Sequence, residues 1–88
     1  MNTLLISYDL ITPGKDYSRL YEYLRDYAAY CKPLESVWLI KTSKNCPTVK
    51  DELVDYTDRN DKIFVVDITG KASALRNFPQ NVVDWIKS

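Results

Sequence analysis

Residues 3–10 constrain this chain more than any other stretch. The β-branched Thr3 is followed by Leu4, Leu5 and Ile6, an apolar run that reads as a strand buried on both faces. The run delivers Asp9 near its C-terminal end, just before Thr12, Pro13 and Gly14 break the extended chain. A core strand ending in a carboxylate holds one acidic oxygen donor rigidly at a sheet edge. That donor suits a divalent cation, and it equally suits a turn in need of a hydrogen-bond acceptor.

The rest of the chain supplies partners for that strand. Pro13 and Gly14 mark a turn, and Asp16 is placed to cap a helix over residues 17–30. Within it Tyr17, Leu20, Tyr21, Leu24, Tyr27, Ala28 and Cys31 keep the i, i+3, i+4, i+7 rhythm of one buried stripe. Lys32 and Pro33 stop the helix, because a residue before Pro avoids the α region. Residues 34–42 read as extended, with a turn or bulge at Glu35 and Ser36 that splits a short strand from a longer one. Pro47 stands at a natural helix start, and Thr48 with Asp51 resembles a weak capping box. That second helix runs to about residue 57 and buries Val49, Leu53 and Tyr56. Residues 58–61 form a polar turn, and residues 62–68 form a last strand built on Ile63, Phe64, Val65 and Val66. Pro79 opens a short final helix that buries Val82, Val83 and Ile86, and these residues with Trp85 fit packing on their own protomer or on a dimer partner.

This order is β-α-β-β-α-β with a C-terminal extension. It predicts an α+β fold of the ferredoxin-like βαββαβ type, an antiparallel sheet with both main helices on one face. The 88 residues make a single domain, with a core at about 3–68 and an extension at 69–88. The topology also places polar groups. Asp9, the Glu35–Ser36 corner and Asn60 with Asp61 fall along one rim of the sheet, and Asp67 falls at the opposite rim.

Composition narrows the chemistry. Twelve basic and twelve acidic side chains cancel, so no global field draws the chain to nucleic acid and any contact rests on a local patch. The chain has no histidine, which removes the usual general base and the usual partner of a catalytic nucleophile. Cys31 and Cys46 match no zinc spacing and read as reduced thiols in a cytoplasmic protein, the first of them buried. Neither a secretory signal nor a membrane-spanning run is read from the sequence. Seven tyrosines and two tryptophans in so short a chain point to surfaces built for contact, including a homodimer interface.

Two short motifs then carry a resemblance. The segment Leu5, Ile6, Ser7, Tyr8, Asp9, Leu10, followed by a helix and then by Leu34, Glu35, Ser36, Val37, Trp38, Leu39, resembles the small CRISPR-associated nuclease-like proteins of the Cas-two family. It looks most like their stand-alone, SinR-like relatives. The matching features are a first strand closing in Tyr-Asp and a second-strand motif of Ser, Val and an aromatic, over residues 3–68. The resemblance implies a two-fold dimer of ferredoxin-like protomers. For some members it implies Mg²⁺- or Mn²⁺-dependent cleavage of RNA or DNA phosphodiesters, with the residue matching Asp9 contributed by both protomers to one metal site. For others it implies a non-catalytic dimeric scaffold in an adaptation complex. Typical members carry several Arg or Lys residues soon after the Asp, whereas residues 11–19 here hold only Lys15 and Arg19.

The candidate site residues are thus Asp9, as metal ligand, and Ser36, which would position a water or a phosphate oxygen. Each has a plainer reading. Asp9 also fits as the acceptor for the turn at Thr12 to Gly14, and Ser36 as a residue satisfying its own backbone at a bend. Tyr8 and Trp38 read as core or interface residues, and Lys15, Arg19, Lys41 and Lys44 as solvated surface. The alternatives to a nuclease are a dimeric binding or assembly module with an unidentified protein partner, and a stand-alone ribonuclease toxin of similar fold. With so few clustered cations, any nucleic-acid affinity is expected to be weak and sensitive to salt.

Overall fold

The strand β1 (Asn2–Asp9) lies inside a four-stranded sheet, between β3 (Val37–Thr42) and β4 (Lys62–Asp67), and β2 (Tyr30–Leu34) lies outside β3. The computed structural model describes residues 1–88. Every neighbouring pair is antiparallel, in the order β2-β3-β1-β4. Three helices complete an α+β architecture: α1 (Ser18–Arg25), α2 (Cys46–Val54) and α3 (Gln80–Lys87).

Alternation along β1 decides which face is buried. Leu4, Ile6 and Tyr8 point to one side and are buried, while Thr3, Leu5 and Ser7 on the other side are only half-buried. The expected strand buried on both faces is therefore corrected to the one-face pattern of an antiparallel sheet. Opposite Leu4 and Ile6 stand Ile40 and Trp38 of β3. Leu20 and Leu24 of α1 and Val49 and Leu53 of α2 close over them, so both helices cover the same face.

Two boundaries depart from the sequence reading. Helix α1 ends at Arg25, and residue 30 already belongs to β2. Tyr30 and Cys31 pair with Ile40 and Leu39, so strand hydrogen bonds with β3 take residues whose spacing also suited a helix. Ala28, expected in the buried stripe, is exposed. Pro33 sits within β2, which it can do because β2 is an edge strand with a register shift between Cys31 and Leu34. The turn at Glu35 and Ser36 is where it was expected.

The helix caps also differ. Asp16 accepts a hydrogen bond from Ser18 N at 2.9 Å, but Tyr17 occupies the N-cap position. Helix α2 is capped by Asn45, whose side chain accepts from Thr48 N at 2.9 Å, and not by a box starting at Thr48. It ends at Val54, three residues short of the expected length.

The half-open second face carries α3. Trp85 and Ile86 line one open cleft with Leu5, Leu39 and Ile68, and the Lys41 ammonium stands 4.9 Å from the Trp85 ring centre. Val82, Val83 and Ile86 are half-buried, and α3 contains no fully buried residue, so the expected burial of this helix is corrected to a partial one. Phe64 stays 61% exposed on the same face. No helix is long and apolar enough to cross a membrane.

Candidate functional site at the sheet rim

Asp9 is the last residue of β1 and pairs in register with Lys62. Its side chain is exposed, and it forms no hydrogen bond or ion pair within the chain. Beside it, one open cleft gathers Tyr21, Lys32, Glu35 and Ser36. Tyr8 N donates to the Ser36 carbonyl at 3.3 Å, which ties the end of β1 to the β2–β3 turn. The Ser36 hydroxyl has no partner within the chain. The local bend role expected of that hydroxyl is therefore not what the structure contains.

The loop after Asp9 takes its acceptors from elsewhere. Asp61 Oδ1 accepts from Ile11 N at 2.9 Å, and the Tyr17 hydroxyl donates to Asp61 at 2.9 and 2.8 Å. Asp58 Oδ2 accepts from the Thr12 hydroxyl at 2.6 Å, and Asp58 N donates to Asp61 Oδ2 at 2.7 Å. Asp58 and Asp61 thus fill the turn-acceptor role that Asp9 was a candidate for. The sequence marks 58–61 only as polar. The spacing of two Asp residues at i and i+3, each able to bond backbone N–H groups, was the available signal.

These bonds set the charge state. The Thr12 hydroxyl, then Arg59 N, holds the Asp58 carboxyl below the usual range. At Asp61 burial acts to raise the value, yet donation from Asp58 N, Ile11 N and Tyr17 outweighs it and the net direction is down. Tyr17 moves up, through burial first and then through its bond to Asp61.

The rim inference from topology holds for all three clusters. Asp9 and Ser36 share a cleft, and Asp61 grips the loop two residues past Asp9. Asp67 pairs with Leu4 at the far end of β1 and bonds Thr69. Five residues along the strand separate the two carboxylates, about 17 Å at the usual rise.

Lys15, Arg19 and Lys44 are exposed, as expected of solvated surface, and each also stands near an aromatic ring. Lys15 lies 5.9 Å from the Tyr17 ring centre, Arg19 lies 5.6 Å from Tyr56, and Lys44 lies 5.3 Å from Tyr27. Lys44 also pairs with Glu52 at 2.9 Å. Tyr8 and Trp38 are core residues: the buried indole N–H donates to the Tyr8 hydroxyl at 3.0 Å.

A hard divalent cation matches the donors at the rim in kind, since Asp9, Glu35 and Ser36 all offer oxygen. In number one chain falls short, because no three acidic or cysteine side chains come together to hold a metal. In comparisons with known proteins, the chain matches no protein-family model, no curated protein and no solved structure.

Proposed function

We propose that the protein is a homodimer of Cas-two-like, ferredoxin-like protomers that cuts RNA or DNA phosphodiesters with Mg²⁺ or Mn²⁺ held between two copies of Asp9. The fold reading draws support from the antiparallel order β2-β3-β1-β4 and the βαββαβ element order. One observation carries the site: Asp9 is held at a strand end with its carboxylate unspent, while Asp58 and Asp61 satisfy the adjoining loop. A second copy would add the second anionic ligand that one chain lacks. When bound, the cation supplies Lewis-acid activation of water and neutralises charge at the phosphate. Asp9 holds it, Ser36 orients a phosphate oxygen, and a chain without histidine needs no imidazole base. The free thiols Cys31 and Cys46 suit a cytoplasmic setting.

Exposed apolar groups are compatible with a second reading, the non-catalytic dimeric module. Phe64 and Leu34 are 61% and 55% exposed, and such side chains suit a partner surface as well as a nuclease dimer.

The deciding experiment is a cleavage assay of wild type, Asp9→Asn and Asp67→Asn on RNA and DNA over a Mg²⁺ and Mn²⁺ series, with sedimentation alongside. Wild type and Asp67→Asn are expected to be active dimers, and Asp9→Asn an inactive dimer. Its melting point should be equal or slightly higher, because repulsion between neighbouring carboxylates is gone. Equal cleavage by wild type and Asp9→Asn, or a monomer at micromolar concentration, defeats the shared-metal site. An inactive wild-type dimer leaves the binding module.

A further inference from the structure

The loop that leaves Asp9 is held from outside. Within residues 10–16 the turn bond is Lys15 N to the Thr12 carbonyl, at 3.4 Å. Its fixed points come from the turn at 58–61, far away in sequence. Asp61 Oδ1 takes Ile11 N at the start of the loop, and the same carboxylate takes the Tyr17 hydroxyl at its end. Asp58 takes Thr12 between them and bonds Asp61 through its own N–H. One carboxylate therefore closes both ends of the loop. The next residue along, Lys62, starts β4 directly opposite Asp9, so the gripping turn and the strand end belong to one rigid corner.

We infer that Asp61 is the positioning residue of the candidate site: by gripping Ile11 and Tyr17 it fixes how the chain leaves Asp9, and so where the Asp9 carboxylate points. Asp61 touches no reacting group in this role. The functional half of the inference rests on the nuclease reading above; the structural half does not. The physical reason is the tolerance of such sites. Productive geometry holds within roughly 0.5 Å, and a loop that loses its fixed points two residues from the ligand opens locally.

The test uses Asp61→Ala, Asp61→Asn and Tyr17→Phe in the full chain. Amide exchange at Ile11 is read without metal, Mn²⁺ broadening of the Asp9 amide is read by NMR, and cleavage is read as kcat and KM. In Asp61→Ala the Ile11 amide should exchange about tenfold faster or more, and kcat should fall about tenfold or more with KM within about twofold. Asp61→Asn keeps one oxygen for Ile11 N but sets an NH2 donor against the Asp58 N–H, and should recover only part of both. Tyr17→Phe removes one donor and should show a smaller loss of kcat; it carries the same test if Asp61→Ala does not fold. An Ile11 amide as protected in Asp61→Ala as in wild type overturns the grip. Wild-type kcat in a variant with a loosened loop overturns the positioning role. A wild type that neither cleaves nor shows Mn²⁺ broadening sinks the nuclease reading and the role with it, and the Ile11 exchange still decides the grip.

Discussion

Tyr8 connects core and rim in one residue. Its ring is buried beside Ile6 and Leu4 on the helix-covered face, and its hydroxyl takes the Trp38 indole N–H at 3.0 Å. Burial pushes the Tyr8 hydroxyl up, and the Trp38 bond opposes that rise, so the phenol stays neutral and available as acceptor. Removing the oxygen strands a buried donor, which costs more than the bond itself contributes. Tyr8→Phe should therefore destabilise the protein by about 1–3 kcal/mol, read from urea melts followed by far-UV circular dichroism. In the Tyr8→Phe background, Trp38→Phe should cost less than it does alone, because the two share one interaction. Wild-type stability in Tyr8→Phe would show that the indole N–H finds another partner. Asp9 and Ser36 were legible in the sequence for a similar reason: each sits where a strand ends, and topology alone brings those ends to one rim.

At the scale of elements, local pattern succeeded where tertiary contacts did not compete. β1, the turn at Glu35 and Ser36, and β4 were readable from apolar runs and their breaks. The region 26–33 was not, since Tyr27 and Cys31 fit a helical stripe as well as a strand. Pairing of Tyr30 with Ile40 and of Cys31 with Leu39 settled it, and such pairing lies outside any local window. The loop gripped by Asp58 and Asp61 was illegible too, because its hydrogen bonds join residues 44 to 50 positions apart. That loop should respond to acid. Both carboxyls are held below the usual range in the folded chain, so the unfolded chain binds a proton more readily. Their contribution is complete above about pH 4, the unfolded value, and is lost as pH falls through the folded values. Amide exchange at Ile11, corrected for its intrinsic pH dependence, should accelerate below about pH 4 while Leu4 and Ile6 stay protected. Equal protection of Ile11 down to pH 2 would remove the carboxylates from the account.

The whole molecule is thinly covered on one side. Its radius of gyration is 13.2 Å, against about 12 Å for a typical domain of this length, and its extents of 35 × 28 × 20 Å describe a slab. The second sheet face, with Phe64 exposed and α3 only half-seated, is the side a second copy has most to gain by covering. Charge bears on function at the same scale. The formal net charge is zero. Lys44 and Lys50 are paired with Glu52 and Asp51, while Lys15, Arg19 and Lys41 lie against aromatic rings. Beside Asp9 the nearby cations are Lys32, in its cleft and 5.9 Å from the Trp38 ring centre, and Lys62, opposite it. Two such rims in the proposed dimer would neutralise about four phosphates, so log affinity against log salt should fall with a slope near −3.5 for a duplex. Binding should accordingly be weak, and lost between low and physiological salt. Fluorescence anisotropy of a labelled duplex across a salt series reads the slope directly. Charge reversal at Lys32 and Lys62 together should abolish what binding there is, whereas reversal at Lys50, which lies on α2 away from the rim cleft, should leave it nearly intact. A slope steeper than about −6 would require a basic surface assembled from elsewhere in the dimer. Tight binding that persists at high salt would assign the affinity to stacking on exposed rings such as Tyr30 instead.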